Sequence, residues 1–115
     1  MTKEERTDKQ YIFDILDAAN NIVGFLRRIS REKFESDYQL QLAVVKLFEI
    51  IGEASSRIST QTINSHPEVS WRLMRDMRNK MIHDYFEIDL AIVWDTAKND
   101  IPELKKQIEK LLNDL

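Results

Sequence analysis

Within the eight residues Arg78-Asn79-Lys80-Met81-Ile82-His83-Asp84-Tyr85, the chain gathers a permanent cation, a side chain that exchanges a proton near neutral pH, and a phenol. A guanidinium grips a phosphate through two parallel hydrogen bonds. An imidazole accepts or delivers a proton near pH 7. Together they are a minimal toolkit for attacking a phosphodiester, with a ribose 2′-hydroxyl as nucleophile. The same residues also have a plainer reading, in which Arg78 is a solvated helix residue, His83 a cation at a helix C-terminus and Tyr85 a half-buried anchor. The surroundings decide between the two.

Arg72, Arg75 and Arg78 recur every third residue, interrupted by Asp76, and Lys80 follows. This is the densest positive charge in a chain whose formal net charge is −3. The whole surface therefore does not attract nucleic acid, and any RNA contact must use this local patch. Arg72, Arg75 and Lys80 are the candidates for holding an RNA backbone. Glu53 is read as a surface residue, with contact to the Arg78 and His83 region as the alternative. His66 is read as a loop residue without chemistry. No Asp, Glu or His set has convincing metal-site spacing, so no required metal is expected.

The elements that must position these groups are helices. The 115 residues suffice for one compact domain, read as residues 1–115, and two glycines and two prolines leave few turns. Thr7-Asp8-Lys9-Gln10 has capping-box spacing, and Thr2 to Glu5 offers an earlier box. Ile12, Ile15, Ala19, Ile22, Leu26 and Ile29 then trace one helical face, ending near Ser30. Arg31 to Ser36 reads as a charged connection in which Phe34 closes the bundle end. Ser36 or Asp37 caps a second helix running to about Ser59, with Val44, Phe48, Ile51 and Ala54 on its core face. Leu42, Val45 and Ile50 lie off that stripe and suggest a second neighbour, which in so small a domain can be another copy of the chain. Gly52 inside this helix costs about 1 kcal/mol against alanine and implies a close helix approach.

Thr60 to Ser70 reads as a polar loop. A third helix starts at Pro67 or, better, at Trp71 after a Ser70 cap, and carries Met74, Met77, Met81 and Ile82 on its apolar side. Asp89 caps the last helix, whose core face includes Val93, Ala97, Ile101, Leu104 and Ile108. Pro102 predicts a kink or break near Asn99 and Asp100, with Asp100 able to recap the continuation. The fold class is all-α, an up-and-down bundle of four main helices. The absence of cysteine removes a disulfide framework and thiolate metal sites. No apolar run is long enough to span a bilayer, and no N-terminal h-region is apparent, so the cytoplasm is the expected location.

The order Ile50-Ile51-Gly52-Glu53-Ala54, His66-Pro67, Trp71, Met77-Arg78-Asn79, His83-Asp84-Tyr85-Phe86 and Val93-Trp94 resembles the HepT toxins among the HEPN-domain ribonucleases. The likeness covers nearly the whole chain. Arg-x4-His alone is weak; with these landmarks in order it is specific. Ser70 stands where many members have proline, which bears on the helix start and not on the chemistry. The resemblance implies a homodimer with a composite site, metal-independent endoribonuclease activity with tRNA as the expected RNA, and a role as a toxin. It also implies a separately encoded minimal nucleotidyltransferase as antitoxin, which uses ATP and magnesium to place AMP on the motif tyrosine. By match, Arg78 and His83 are catalytic, Asn79 is supporting and Tyr85 is the modified residue.

Helix geometry bears on the composite site. On a regular helix Arg78 and His83 are about 140° apart, and Arg78 and Tyr85 about 20°. One helix cannot then aim Arg78 and His83 along one stripe unless it unwinds near Asp84, whereas two helices across a twofold axis can surround one cleft with both pairs. The competing reading is a non-catalytic helical subunit that binds nucleotide or docks a nucleotidyltransferase, using the basic stripe without proton transfer by His83.

Overall fold

The computed structural model describes residues 6–79, 82–84 and 87–115, with the backbone alone at 79, 82–84 and 87. Helix α1 (Asp8–Leu26) starts as its sequence demands. The Thr7 hydroxyl accepts from the Gln10 amide at 3.2 Å, and the Gln10 side chain accepts from the Thr7 amide at 2.8 Å. The earlier box, Thr2 to Glu5, lies outside the described residues. The helix stops at Leu26 rather than near Ser30, because Arg28 turns into the left-handed region (φ 62°) and Ser30 caps the next helix. Lys98 donates to the freed Leu26 carbonyl at 2.8 Å.

The segment expected as a connection is a short helix, α2 (Arg31–Ser36), with Phe34 fully buried beneath it as expected. Phe34 meets Trp94 at a ring-centroid distance of 5.4 Å. Gln41 ties α2 to the following helix by donating to the carbonyls of Phe34 and Glu35 at 2.9 and 3.1 Å. That helix, α3 (Tyr38–Ser56), is capped by Asp37 through the Leu40 amide at 3.0 Å. Its second apolar side is narrower than predicted. Val45 is buried within the chain and Ile50 is partly buried, which leaves Leu42 exposed beside Tyr38, four residues earlier.

Thr60 to Ser65, expected as loop, forms helix α4 (Thr60–Ser65), capped by Ser59. Asp8 fastens it to the start of α1, accepting from the Ser59 amide at 3.0 Å and from the hydroxyls of Ser59 and Thr62 at 2.6 and 2.5 Å. Helix α5 (Trp71–Asn79) begins where predicted and buries Trp71, Met74 and Met77. It does not run on through Ile82. Residues Ile82–Asp84 form strand β1, antiparallel to β2 (Glu87–Ile88), with Ile82 opposite Ile88 and Asp84 opposite Glu87.

The last helix keeps helical backbone past Pro102. Helix α6 (Leu90–Asp95), capped by Asp89 through the Ile92 amide at 3.1 Å, leads into a π-helical turn at Thr96–Asp100 and then into α7 (Ile101–Asn113). Proline lacks a donor and crowds the preceding turn. The wider turn absorbs this, with the Ile101 amide reaching back to the Thr96 carbonyl. Asp100 makes no side-chain cap, contrary to the expected recapping. The architecture is all-α apart from the two-stranded ribbon. Helix α1 packs on α3 and α7, and α3 packs on α5. The core runs along these contacts through Ile15, Ile22, Phe48, Ile51, Met74 and Leu104. Among the described residues no helix is long and apolar enough to cross a membrane.

Candidate active site

Helices α3 and α5 cross at Gly52, against the backbone of Arg78. A Cβ on residue 52 would stand 2.6 Å from the Arg78 Cβ and 3.1 and 3.2 Å from its amide nitrogen and Cα. Carbon atoms rest about 3.5–4.0 Å apart, so at this crossing only glycine fits. The glycine predicted to mark a close approach thus fixes the backbone of the arginine singled out by its chemistry.

The next residue, Glu53, reaches Arg78. Its Oε2 lies 3.3 Å from Arg78 Nη1, while Oε1 accepts from Arg57 at 3.1 and 3.2 Å. Both readings of Glu53 are met in part, since the carboxylate touches Arg78 and its side chain is 47% exposed. Arg78 is 54% exposed. An ion pair this wet contributes about 0–1 kcal/mol. It orients Arg78 without locking it, so a phosphate can take the place of the carboxylate.

Arg78 stands at the edge of a cleft of about 350 Å³ bounded by three helices. Gly52, Ser55 and Ser56 form its α3 side. Thr60 and Ile63 contribute from α4, and Trp71, Arg75 and Arg78 from α5. Trp71 is held by a 2.9 Å hydrogen bond from Nε1 to the His66 carbonyl. The His66 ring is anchored in turn through Nδ1, 2.9 Å from the Thr62 carbonyl, which makes Nδ1 the protonated nitrogen. His66 therefore closes α4 onto α5.

The structure brings Arg75 and Arg78 together on one cleft wall. Arg72 is exposed on α5 but does not line the cleft. Lys80 and Tyr85 lie outside the described residues. Asn79 ends α5, and the backbone of His83 is extended in β1. The angles of about 140° and about 20° hold for a continuous helix, and α5 stops before either His83 or Tyr85. The predicted placement of Arg78 and Tyr85 on one helical face is therefore corrected, and the helical-wheel argument for a shared site goes with it. Among the described residues, no cluster of three or more His, Asp or Glu side chains is arranged to hold a metal.

Sequence reasoning passed over Ser55, Ser56, Thr60 and Ile63. The signal for the α4 side was Ser59 three residues before Thr62, a capping pattern inside a stretch read as loop. That Asp8 holds this short helix in place, from 51 residues away, has no local signature.

Fold and site together define a class: a small all-α domain whose candidate site is an arginine-lined cleft at a helix crossing. The family model described as Ribonuclease HepT-like matches residues 15–111, and the chain belongs to that family. It is 46% identical over 107 residues to the "Probable ribonuclease HepT" of Thermococcus cleftensis, covering 93% of this chain and 97% of that one. A "Putative RNase" of Methanocaldococcus jannaschii is 36% identical over 111 residues, covering 96% of this chain and 92% of its own. Another of that description, from Caldanaerobacter subterraneus subsp. tengcongensis, is 36% identical over 107 residues, covering 93% and 96%. The comparison with solved structures gives no significant match.

Proposed function

We propose that the chain is a metal-independent endoribonuclease that acts as the toxin of a toxin–antitoxin pair, in the cytoplasm, with Arg78 and His83 as its catalytic residues. The observation that carries this reading is Arg78, backbone-locked at the Gly52 crossing on the rim of a cleft, in a chain of the ribonuclease HepT-like family. Asn79 supports the pair by hydrogen bonding, and Arg72, Arg75 and Lys80 hold the RNA backbone, with tRNA as the expected substrate.

Arg78 grips the scissile phosphate and offsets charge on its oxygens as the pentacovalent state forms. His83 takes the proton of the 2′-hydroxyl as that oxygen bonds to phosphorus. The bond from phosphorus to the 5′-oxygen breaks, and a protonated His83 from the second protomer supplies the proton to the leaving oxygen. The products are a 2′,3′-cyclic phosphate and a 5′-hydroxyl. Such acid–base help is worth about 10² to 10⁴ in rate. The homodimer this requires draws support from Leu42 and Tyr38, exposed side by side on α3. Control would come from a minimal nucleotidyltransferase that uses ATP and magnesium to attach AMP to Tyr85. The added AMP puts a bulky group and a negative phosphate on the tyrosine of the motif, and that charge repels the RNA backbone.

The test is cleavage of a labelled RNA by the wild type, Arg78→Ala and His83→Ala, with circular dichroism and sedimentation on the same samples. Both variants should stay folded and dimeric and lose at least 10²-fold in cleavage. Full cleavage by folded His83→Ala would refute the mechanism. Retained RNA binding with no cleavage by the wild type would favour the nucleotide-binding or docking subunit instead. Intact-mass measurement after incubation with the partner enzyme, ATP and magnesium should show a gain in AMP units that Tyr85→Phe abolishes. AMP on another residue would overturn the Tyr85 assignment.

A further inference from the structure

We infer that the cleft between α3, α4 and α5 is a subsite for one unpaired nucleotide next to the cleaved phosphodiester, with Arg75 binding that nucleotide's phosphate. The inference rests on the ribonuclease reading and extends it to a class of substrate, single-stranded RNA.

Two guanidiniums stand one helical turn apart on the same wall, and their engagements differ. Arg78 is shared with Glu53. Arg75 makes no hydrogen bond or ion pair among the described residues, yet it is exposed and lines the cleft. Positions i and i+3 on a helix are separated by about 4.5 Å along the axis and lie on nearly the same face. Each arginine can therefore take a different phosphate of one strand, the scissile one at Arg78 and its neighbour at Arg75. Arg72, outside the cleft, has no part in this.

The α3 side offers the complementary chemistry. The Ser55 hydroxyl donates to the Gly52 carbonyl at 2.9 Å, and the Ser56 hydroxyl to the Glu53 carbonyl at 2.6 Å. With their protons committed, both oxygens present lone pairs to an incoming group. Acceptors suit ribose hydroxyls and base N–H groups and do not suit a phosphate. The cleft is thus polarised, cationic on α5 and accepting on α3. Ile58, Ile63 and Trp71 add apolar surface for a sugar or base face. At about 350 Å³ the space is of single-ligand size. A paired base stays stacked in its duplex and cannot enter. Recognition of splayed, unpaired nucleotides is the common way proteins read RNA.

The experiment measures binding of two uncleavable 2′-O-methyl probes to the full chain: a dinucleoside monophosphate and a trinucleoside diphosphate. For the wild type, the second phosphate should tighten binding about tenfold. Arg75→Gln should abolish that gain, leave the one-phosphate probe unchanged and lower the salt slope for the two-phosphate probe by about 0.7, the value for one single-strand phosphate. Ser56→Trp, which fills the cleft from an exposed position, should also abolish the gain, and Lys110→Gln, at an exposed position on α7 away from the cleft lining, should keep it. The inference is overturned if Arg75→Gln keeps the gain, or if it weakens both probes equally. Equal affinity for a stable hairpin whose stem pairs the same three nucleotides would also overturn it. Because the probes cannot be cleaved, the gain can appear in a protein that cuts no RNA, in which case the subsite stands and the nuclease reading falls. A wild type that binds neither probe would overturn both.

Discussion

Replacing Gly52 with alanine sets two effects of known size against each other. In an exposed helix, glycine to alanine stabilises by about 1 kcal/mol, through lost unfolded-state freedom and better propensity. Here the new methyl would lie 2.6 Å from the Arg78 Cβ and 3.1–3.2 Å from Arg78 backbone atoms. A rotamer change cannot move backbone, so α3 and α5 must part by about 1 Å to reach ordinary carbon contact. Overpacking costs about 1–3 kcal/mol, and a clash against main chain belongs at the upper end. The net expectation is a loss of about 2 kcal/mol, or about 8 °C in melting temperature for a chain of this size. Gly24 is the internal control. It also lies within a helix, but nothing approaches its added Cβ within 4 Å. Gly24→Ala should therefore raise stability by about 0.5–1 kcal/mol. Thermal and urea unfolding of the two variants beside the wild type decide the matter. A Gly52→Ala protein as stable as the wild type would refute the close crossing. If the crossing positions Arg78, a displacement of about 1 Å should also cost about 10²-fold in RNA cleavage by the folded fraction. Lost stability with undiminished cleavage would separate the packing role from the functional one.

Glu53→Gln removes a negative charge beside Arg78, worth about 1 kcal/mol at 4 Å in the dielectric of water. Oligonucleotide binding should tighten about fivefold with stability nearly unchanged, whereas weaker binding would mean that the carboxylate chiefly aims the guanidinium. Asp8 gives a pH prediction. Partial burial pushes its carboxyl upward, but hydrogen bonds from the Ser59 and Thr62 hydroxyls and the Ser59 amide together hold it below the usual 3.8. A depressed folded-state value contributes stability that is complete above the unfolded value and is lost as pH falls through the folded one. Asp8→Ala should thus cost about 1 kcal/mol at pH 7, and its deficit should shrink as the pH falls below about 4. A deficit independent of pH would exclude the charged form as the source.

Legibility of this fold followed the range of the interactions involved. The Thr7 box, the Asp37 and Asp89 caps and the buried faces of α1, α3 and the last helix depend on residues three or four apart, and these were readable. Gly52 announced a close approach, but its partner could be found only in three dimensions, because Arg78 is 26 positions away. One misreading arose where a distant contact adds to a weak local signal. Thr60 to Ser65 looks like polar loop, yet it is helical because Asp8 and Ser59 hold its first turn. Pro102 suggested a kink or break near Asn99 and Asp100, and the helix is irregular there, widening into a π-helical turn over Thr96–Asp100.

The end of α5 carries the most for function and had the weakest local signal. No glycine or proline marks it, and Met77, Met81 and Ile82 continue a plausible helical face. Had the helix continued, its geometry would have turned His83 about 140° away from Arg78. The change to an extended segment removes that constraint and divides the candidate catalytic pair between two supports. Arg78 is fixed by the packing of α5 on Gly52 of α3. The backbone of His83 is set by the pairing of β1 with β2, in a register that shifts between Ile82 and Asp84. Substitutions at the helix crossing therefore act on the arginine first, and substitutions in β2, such as at Ile88 opposite Ile82, act on the histidine first. The two halves of the site can be perturbed one at a time, which a single continuous helix would not allow.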